Sequence, residues 1–195
     1  MTGRLCLGLA LTVLAVQPAM AHPPPLGIGG FAGGLLHPLL VPAHGLALVG
    51  LGILISQQAD WGRAVVLAAI VALAAGLGVM TLGVVPLFVG EALLGLAAVT
   101  GLLVALARPV PEIAGAVLAT ATGFAIALDS PPEVLSLREA NLMLVGTGLG
   151  AASLVIVMSE LARRLQSAWP RIGMRIIGSW IAASAILVLA LRLVR

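Results

Sequence analysis

The stretch Gly29-Gly-Phe-Ala-Gly-Gly-Leu-Leu-His37-Pro-Leu-Leu-Val-Pro-Ala-His44-Gly-Leu-Ala-Leu48 lies within an apolar segment, residues 26–55, that is long enough to cross a bilayer. Only three histidines occur in the 195 residues, and this segment holds two of them. Ionisable side chains at membrane depth cost free energy, and they usually mark ion or proton pathways. His37 and His44 are therefore the first candidates for a functional site.

Two prolines, Pro38 and Pro42, separate these histidines. On one continuous helix the imidazoles would share a face but lie about 10.5 Å apart along the axis. Two nitrogens bonded to one metal ion at about 2.0–2.1 Å can be no more than roughly 4 Å apart. Because proline removes backbone donors, we predict a broken or re-entrant helix here, with both imidazoles facing the protein interior. The alternative is that each histidine hydrogen-bonds a carbonyl that the prolines have freed.

The composition indicates an integral membrane protein. The residues are 61% hydrophobic and 9% charged, whereas soluble domains are roughly 45–50% apolar and about 25% charged. The chain contains no lysine, so its formal charge of +3 rests on arginine alone. No basic stripe with interleaved aromatic residues is present, and we therefore expect the partner to be a lipid bilayer and not a nucleic acid.

The apolar segments predict an all-α fold, a polytopic transmembrane helix bundle of about six spans in a single domain, residues 22–195. The predicted spans are 26–55, 64–84, 86–107, 113–128, 140–159 and 172–193. Gly146, Gly148 and Gly150 recur within the fifth segment. Small residues let helix backbones approach closely in lipid, so we interpret this pattern as helix packing.

The amino terminus resembles an export signal, residues 1–21. Arg4 provides a positive charge, an apolar run follows, and Ala19-Met20-Ala21 fits a cleavage site. Cleavage would remove Cys6, the only cysteine, and leave His22 as the first mature residue outside the cytoplasm. The alternative is an uncleaved membrane anchor.

Arginine placement predicts the orientation. Arg63, Arg108 and the arginines from Arg163 to Arg175 fall in breaks on one side, which we assign to the cytoplasm. Arg138 and the arginines at the carboxyl end, Arg192 and Arg195, fall on the other side. They reduce the excess of arginine on the cytoplasmic side without reversing it. We therefore expect a multi-pass protein of the inner (plasma) membrane, with its mature amino terminus on the extracytoplasmic side.

Acidic residues provide the remaining candidates. Glu91 lies in the third predicted span, where it is either part of a site or a protonated packing residue. Asp129, Glu133 and Glu139 follow the fourth span closely, and we interpret them as a solvated loop face.

A family resemblance rests on these same residues. The segment Gly30-Phe31-Ala-Gly-Gly-Leu-Leu-His37-Pro to His44-Gly-Leu-Ala resembles the signature G-F-x-x-G-x-x-H-P-x-x-G-x-D-H-x-L-A of the HupE/UreJ family. That resemblance, which also covers chain length, signal and segment count, implies a nickel or cobalt permease associated with hydrogenase or urease maturation. It implies a transported Ni²⁺ or Co²⁺ ion with no tightly bound cofactor, and the candidate metal residues are His37, His44, Glu91 and His22.

The chain departs from the family pattern at several ligand positions. Ala43 stands where the family has Asp, and Thr122 and Ile126 stand where its second motif, H-G-x-A-H-G-x-E-x-P, has histidines. A further family histidine is replaced near Val155. We therefore expect a divergent permease, or a relic of one, that binds metal weakly.

Two other function classes remain open. The main alternative is a non-transporting membrane scaffold or accessory protein for metalloenzyme maturation. A membrane enzyme ranks third, because the mature chain has no Ser/His/Asp or Cys/His set and no HExxH helix. The sequence does not indicate the oligomeric state.

Overall fold

The computed structural model describes residues 29–58, 62–82, 87–132, 136–165 and 167–194. Within these ranges all regular secondary structure is helical, in seven helices: α1 (Gly30–Leu40), α2 (Pro42–Ser56), α3 (Gly62–Met80), α4 (Val89–Leu106), α5 (Glu112–Leu128), α6 (Leu137–Arg164) and α7 (Ala168–Leu193). The predicted signal segment, the alternative anchor, His22 and Glu133 lie outside the described residues.

The helices form the predicted membrane bundle. Four of them, α3, α4, α6 and α7, are long and apolar enough to span a membrane, and α1 and α2 together make a fifth candidate. The remaining predicted span corresponds to α5, an apolar helix of 17 residues. The all-helical class is confirmed, whereas the structure supports four to five full-length spans and not six.

A sharp bend separates α1 from α2. The two helix axes meet at 70°, and Val41 between them is extended, with φ −89° and ψ 109°. Pro42 accounts for this conformation, because a proline disfavours helical geometry at the preceding residue and itself suits the first position of a new helix. The predicted break between the two histidines is confirmed.

Helix α2 lies at the centre of the bundle. Eleven of its fifteen residues are buried, and it packs mainly against α4 and α6. Around it, α1 pairs with α6, α3 with α5, and α4 with α7. Because protein surrounds α2, its amino-terminal end can hold a polar side chain away from lipid.

Glycines bring α1 close to α6. A Cβ atom added at Gly146 would collide with the backbone oxygen of Phe31, and one added at Gly150 would collide with that of Leu35. Gly34 lies equally close to the backbone of Met143. The packing interpretation of the glycine pattern is confirmed, and these contacts fix the helix that carries His37.

Candidate functional site

The two histidines meet at the bend between α1 and α2. Their ring centroids are 5.2 Å apart, and the rings are inclined by 72° in an edge-to-face arrangement. His44, on the first turn of α2, is completely buried, and His37, near the end of α1, is partly buried with its Nε2 atom inside the protein. The bend thus achieves the approach that a straight helix excludes, and both imidazoles face the interior as predicted.

Asp129 is the direct partner of His44. The His44 Nε2 atom lies 3.0 Å from Asp129 Oδ2, and the Asp129 side chain is 23% exposed. Because an ionised carboxylate only accepts hydrogen bonds, Nε2 donates in this contact. The interpretation of Asp129 as part of a solvated loop face is therefore wrong. Glu139 is exposed as predicted.

The end of α5 positions Asp129. Its backbone N–H donates to the carbonyl of Ala125 at 2.9 Å, so Asp129 closes the last turn of the helix. The next residue, Ser130, is buried, and its hydroxyl donates to the Ile126 carbonyl at 2.6 Å. These bonds hold the carboxylate at the point where α5 reaches the start of α2.

The Nδ1 atom of His44 is the candidate metal-binding atom of the site. Within the described residues, the buried Nδ1 atom has no hydrogen-bond partner. Since Nε2 carries the hydrogen towards Asp129, Nδ1 has a lone pair in the neutral ring. Metal-binding histidines commonly have this arrangement, in which one nitrogen donates to a carboxylate and the other coordinates the ion.

Glu91 lies near the amino end of α4 and pairs with a different residue. Its Oε1 atom is 3.7 Å from Nη1 of Arg192, which lies in the last turn of α7. Among the described residues, no three His, Cys, Asp or Glu side chains converge closely enough to hold a metal ion together. The structure thus brings His37 and His44 together but does not place Glu91 in a three-ligand cluster with them.

Two positions where the resemblance expects histidine are apolar and face one cavity. Ile126 and Val155 both line a small apolar pocket, together with Leu48, Leu51 and Leu73. Thr122, at another such position, is buried, and its hydroxyl has no hydrogen-bond partner within the described ranges. The interior around Ile126 and Val155 is therefore apolar, whereas the end of the bundle that holds His37 and His44 is polar.

Sequence reasoning missed Asp129 and Arg192 as members of the site region. Asp129 is seven residues after Thr122 and therefore stands at the acidic position of the family motif H-G-x-A-H-G-x-E-x-P. That alignment is the sequence signal for Asp129. No sequence signal pointed to Arg192, because its pairing with Glu91 joins the beginning of α4 to the end of α7.

A comparison with known families accounts for nearly the whole chain. The family model described as HupE / UreJ protein matches residues 9–188. No curated protein and no solved structure matches the chain. The matched region includes the bend between α1 and α2 and the end of α5, so His37, His44, Glu91 and Asp129 fall within it, whereas Arg192 lies beyond its last residue.

Proposed function

The chain belongs to the HupE/UreJ family, and we propose that it is a membrane permease whose substrate is a divalent transition-metal ion, nickel or cobalt. The ion would bind transiently at His37 and His44 on its way across the bilayer. Imidazole nitrogen is a favoured ligand of both metals.

The observation that carries this proposal is the environment of His44. Its imidazole is completely buried, its Nε2 atom donates to Asp129, and its Nδ1 atom has no partner among the described residues. A buried polar atom without a partner costs roughly 1–3 kcal/mol. A cation bound at Nδ1 would offset that cost, and Asp129 would fix the ring for it.

Coordination at this site would be sparse, which suits passage more than storage. Two imidazoles leave most positions of a six-coordinate ion to water, because no third ligand of the described residues converges on them. A permeant ion must bind strongly enough to enter and weakly enough to leave. We therefore propose weak binding that falls with decreasing pH, since protons compete for the nitrogen lone pairs of His37 and His44.

The distribution of arginines supports one orientation of the protein in the membrane. We propose that the chain lies in the inner (plasma) membrane, with the end that carries His44, Asp129 and Glu91 on the extracytoplasmic side. Arg63 and Arg108 near the opposite ends of α3 and α4 support this, because short cytoplasmic loops carry an excess of arginine. The site would then receive its ion from outside the cytoplasm.

One observation favours a second candidate function. Ile126 and Val155 line an apolar cavity where the family resemblance expects histidines. A chain that has lost those ligands would serve as a membrane scaffold or accessory protein in metalloenzyme maturation, without transporting the ion.

Metal accumulation distinguishes the two functions. Cells that produce the wild-type protein should accumulate more Ni²⁺ or Co²⁺ than cells that produce the His37→Ala or His44→Ala variant at equal membrane abundance. His44→Gln is the matched control for folding, because its amide can still donate to Asp129 but lacks the ring nitrogen. Equal accumulation in wild-type cells, variant cells and cells without the protein would reject the permease and favour the scaffold.

A further inference from the structure

Arg192 places a positive charge beside the acidic residues at this end of the bundle. Its Nη1 atom lies 3.7 Å from Glu91 Oε1, and the two side chains are 42% and 31% exposed. The residue is also one of the arginines that weaken the positive-inside pattern. Glu91 provides a local reason for its position.

Gly90 shows how near this guanidinium comes to Asp129. A Cβ atom built on Gly90 would lie 2.7 Å from Nη1 of Arg192 and 3.6 Å from Oδ1 of Asp129. The bare backbone of Gly90 thus leaves room for the guanidinium beside Glu91, on the side of Gly90 that also faces Oδ1 of Asp129. The other oxygen of Asp129, Oδ2, is the one that contacts His44.

We propose that Arg192 acts as a tethered cation that competes with the metal ion for the approach to the His44–Asp129 pair. The guanidinium is paired with Glu91 and lies on the side of Gly90 that faces Asp129. An incoming divalent ion is therefore repelled by this positive charge until α7 or the Arg192 side chain moves aside. Displacement of Arg192 releases Glu91 and lowers the electrostatic barrier. This inference rests on the proposed function, because it assumes that the ion binds at His44.

Electrostatics sets the expected size of the effect. At separations of about 10 Å, a unit charge repels a divalent ion enough, even at the dielectric constant of water, to weaken binding several-fold. Solvent and salt reach this half-exposed position, so the effect should shrink at high ionic strength. A purely structural role of Arg192 would show no such dependence on salt.

Two independent variants displace the guanidinium. Arg192→Gln removes the charge, whereas Gly90→Ala keeps it and puts a methyl group 2.7 Å from the present position of Nη1, too close for the guanidinium to stay there. The added methyl meets only the end of that flexible side chain and an ordinary contact with Asp129, so the fold should tolerate it. Gly95→Ala is the matched control, because a Cβ atom there, on the same helix, meets no atom within 4 Å. Arg192→Lys keeps the charge and should behave nearly as wild type.

The test is titration of the purified full-length protein in detergent with Ni²⁺ at low and high salt. We expect Arg192→Gln to bind Ni²⁺ several-fold more tightly than wild type at low salt, Gly90→Ala to bind more tightly by a smaller factor, and Gly95→Ala to bind with wild-type affinity. Wild-type affinity in both Arg192→Gln and Gly90→Ala, with binding lost in His44→Gln, would overturn this inference and leave the proposed function standing. Failure of every protein, including Arg192→Gln, to bind Ni²⁺ would overturn the proposed function itself.

Discussion

Two side-chain pairs, each with one carboxylate, lie at the same end of the bundle, and they differ in burial and in the distance between the partners. In the first, His44 is completely buried and contacts Asp129 at 3.0 Å. In the second, Glu91 and Arg192 are 31% and 42% exposed and are 3.7 Å apart. The first pair is held by the ends of α2 and α5, and the second joins long side chains from α4 and α7.

This difference indicates different roles. The first pair is costly to disrupt, because the completely buried imidazole of His44 would be left without a hydrogen bond. A half-exposed pair at a longer distance contributes little to stability and can exchange partners readily. The first pair therefore suits a fixed binding element, and the second suits a movable one.

The largest effect is expected from replacing His44. His44→Ala removes the proposed ligand and leaves the Asp129 carboxylate without its partner, so we expect Ni²⁺ affinity to fall by more than about 100-fold, beyond the loss typical of outer-shell changes. Calorimetric titration of the purified protein measures this. Affinity close to wild type would show that the ion binds elsewhere.

A smaller loss is expected from Asp129→Asn. Asparagine can still accept a hydrogen bond from Nε2 but carries no charge, and such changes at partners of metal-binding histidines typically lower affinity about 10–100-fold. The same titration applies, and far-ultraviolet circular dichroism would confirm that the helices are retained. An unchanged affinity would mean that Asp129 does not orient His44 for an ion.

The position of His37 depends on the close approach of α1 to α6. Gly146→Ala would place a methyl group against the backbone of α1, which we expect to cost about 1–3 kcal/mol through overpacking and to shift His37 away from His44. Thermal unfolding in detergent measures the first effect, and Ni²⁺ titration the second. Gly78→Ala, where an added Cβ atom meets nothing within 4 Å, is the control that should leave stability nearly unchanged.

The smallest effect concerns the exposed pair. Glu91→Gln should change the free energy of unfolding by no more than about 1 kcal/mol, because exposed ion pairs are worth little. Thermal unfolding at low and high salt would measure it. If Glu91→Gln lowered the free energy of unfolding as much as Gly146→Ala, the Glu91–Arg192 pair would be a fixed structural element and not a movable one.

Patterns along the chain predicted the helical membrane class, the bend and the approach of the two histidines. Each depends on local information: apolar length for the spans, and proline geometry for Val41. The same information overestimated the number of full-length spans, because α5 has only 17 residues. It also misjudged Asp129, since a residue just after a span looks like a loop residue whatever lies beside it.

The sequence by itself determined that this chain enters a bilayer, that its helix breaks at Pro42, and that few ionisable groups lie near membrane depth. Only the tertiary structure decided that Asp129 contacts His44, 85 residues away, and that Arg192 contacts Glu91. The physical reason is that hydropathy and backbone preferences act within a few residues, whereas the partner of a buried polar group depends on which helix ends meet. That choice follows from the packing of α2 against its neighbours, and no local pattern encodes it.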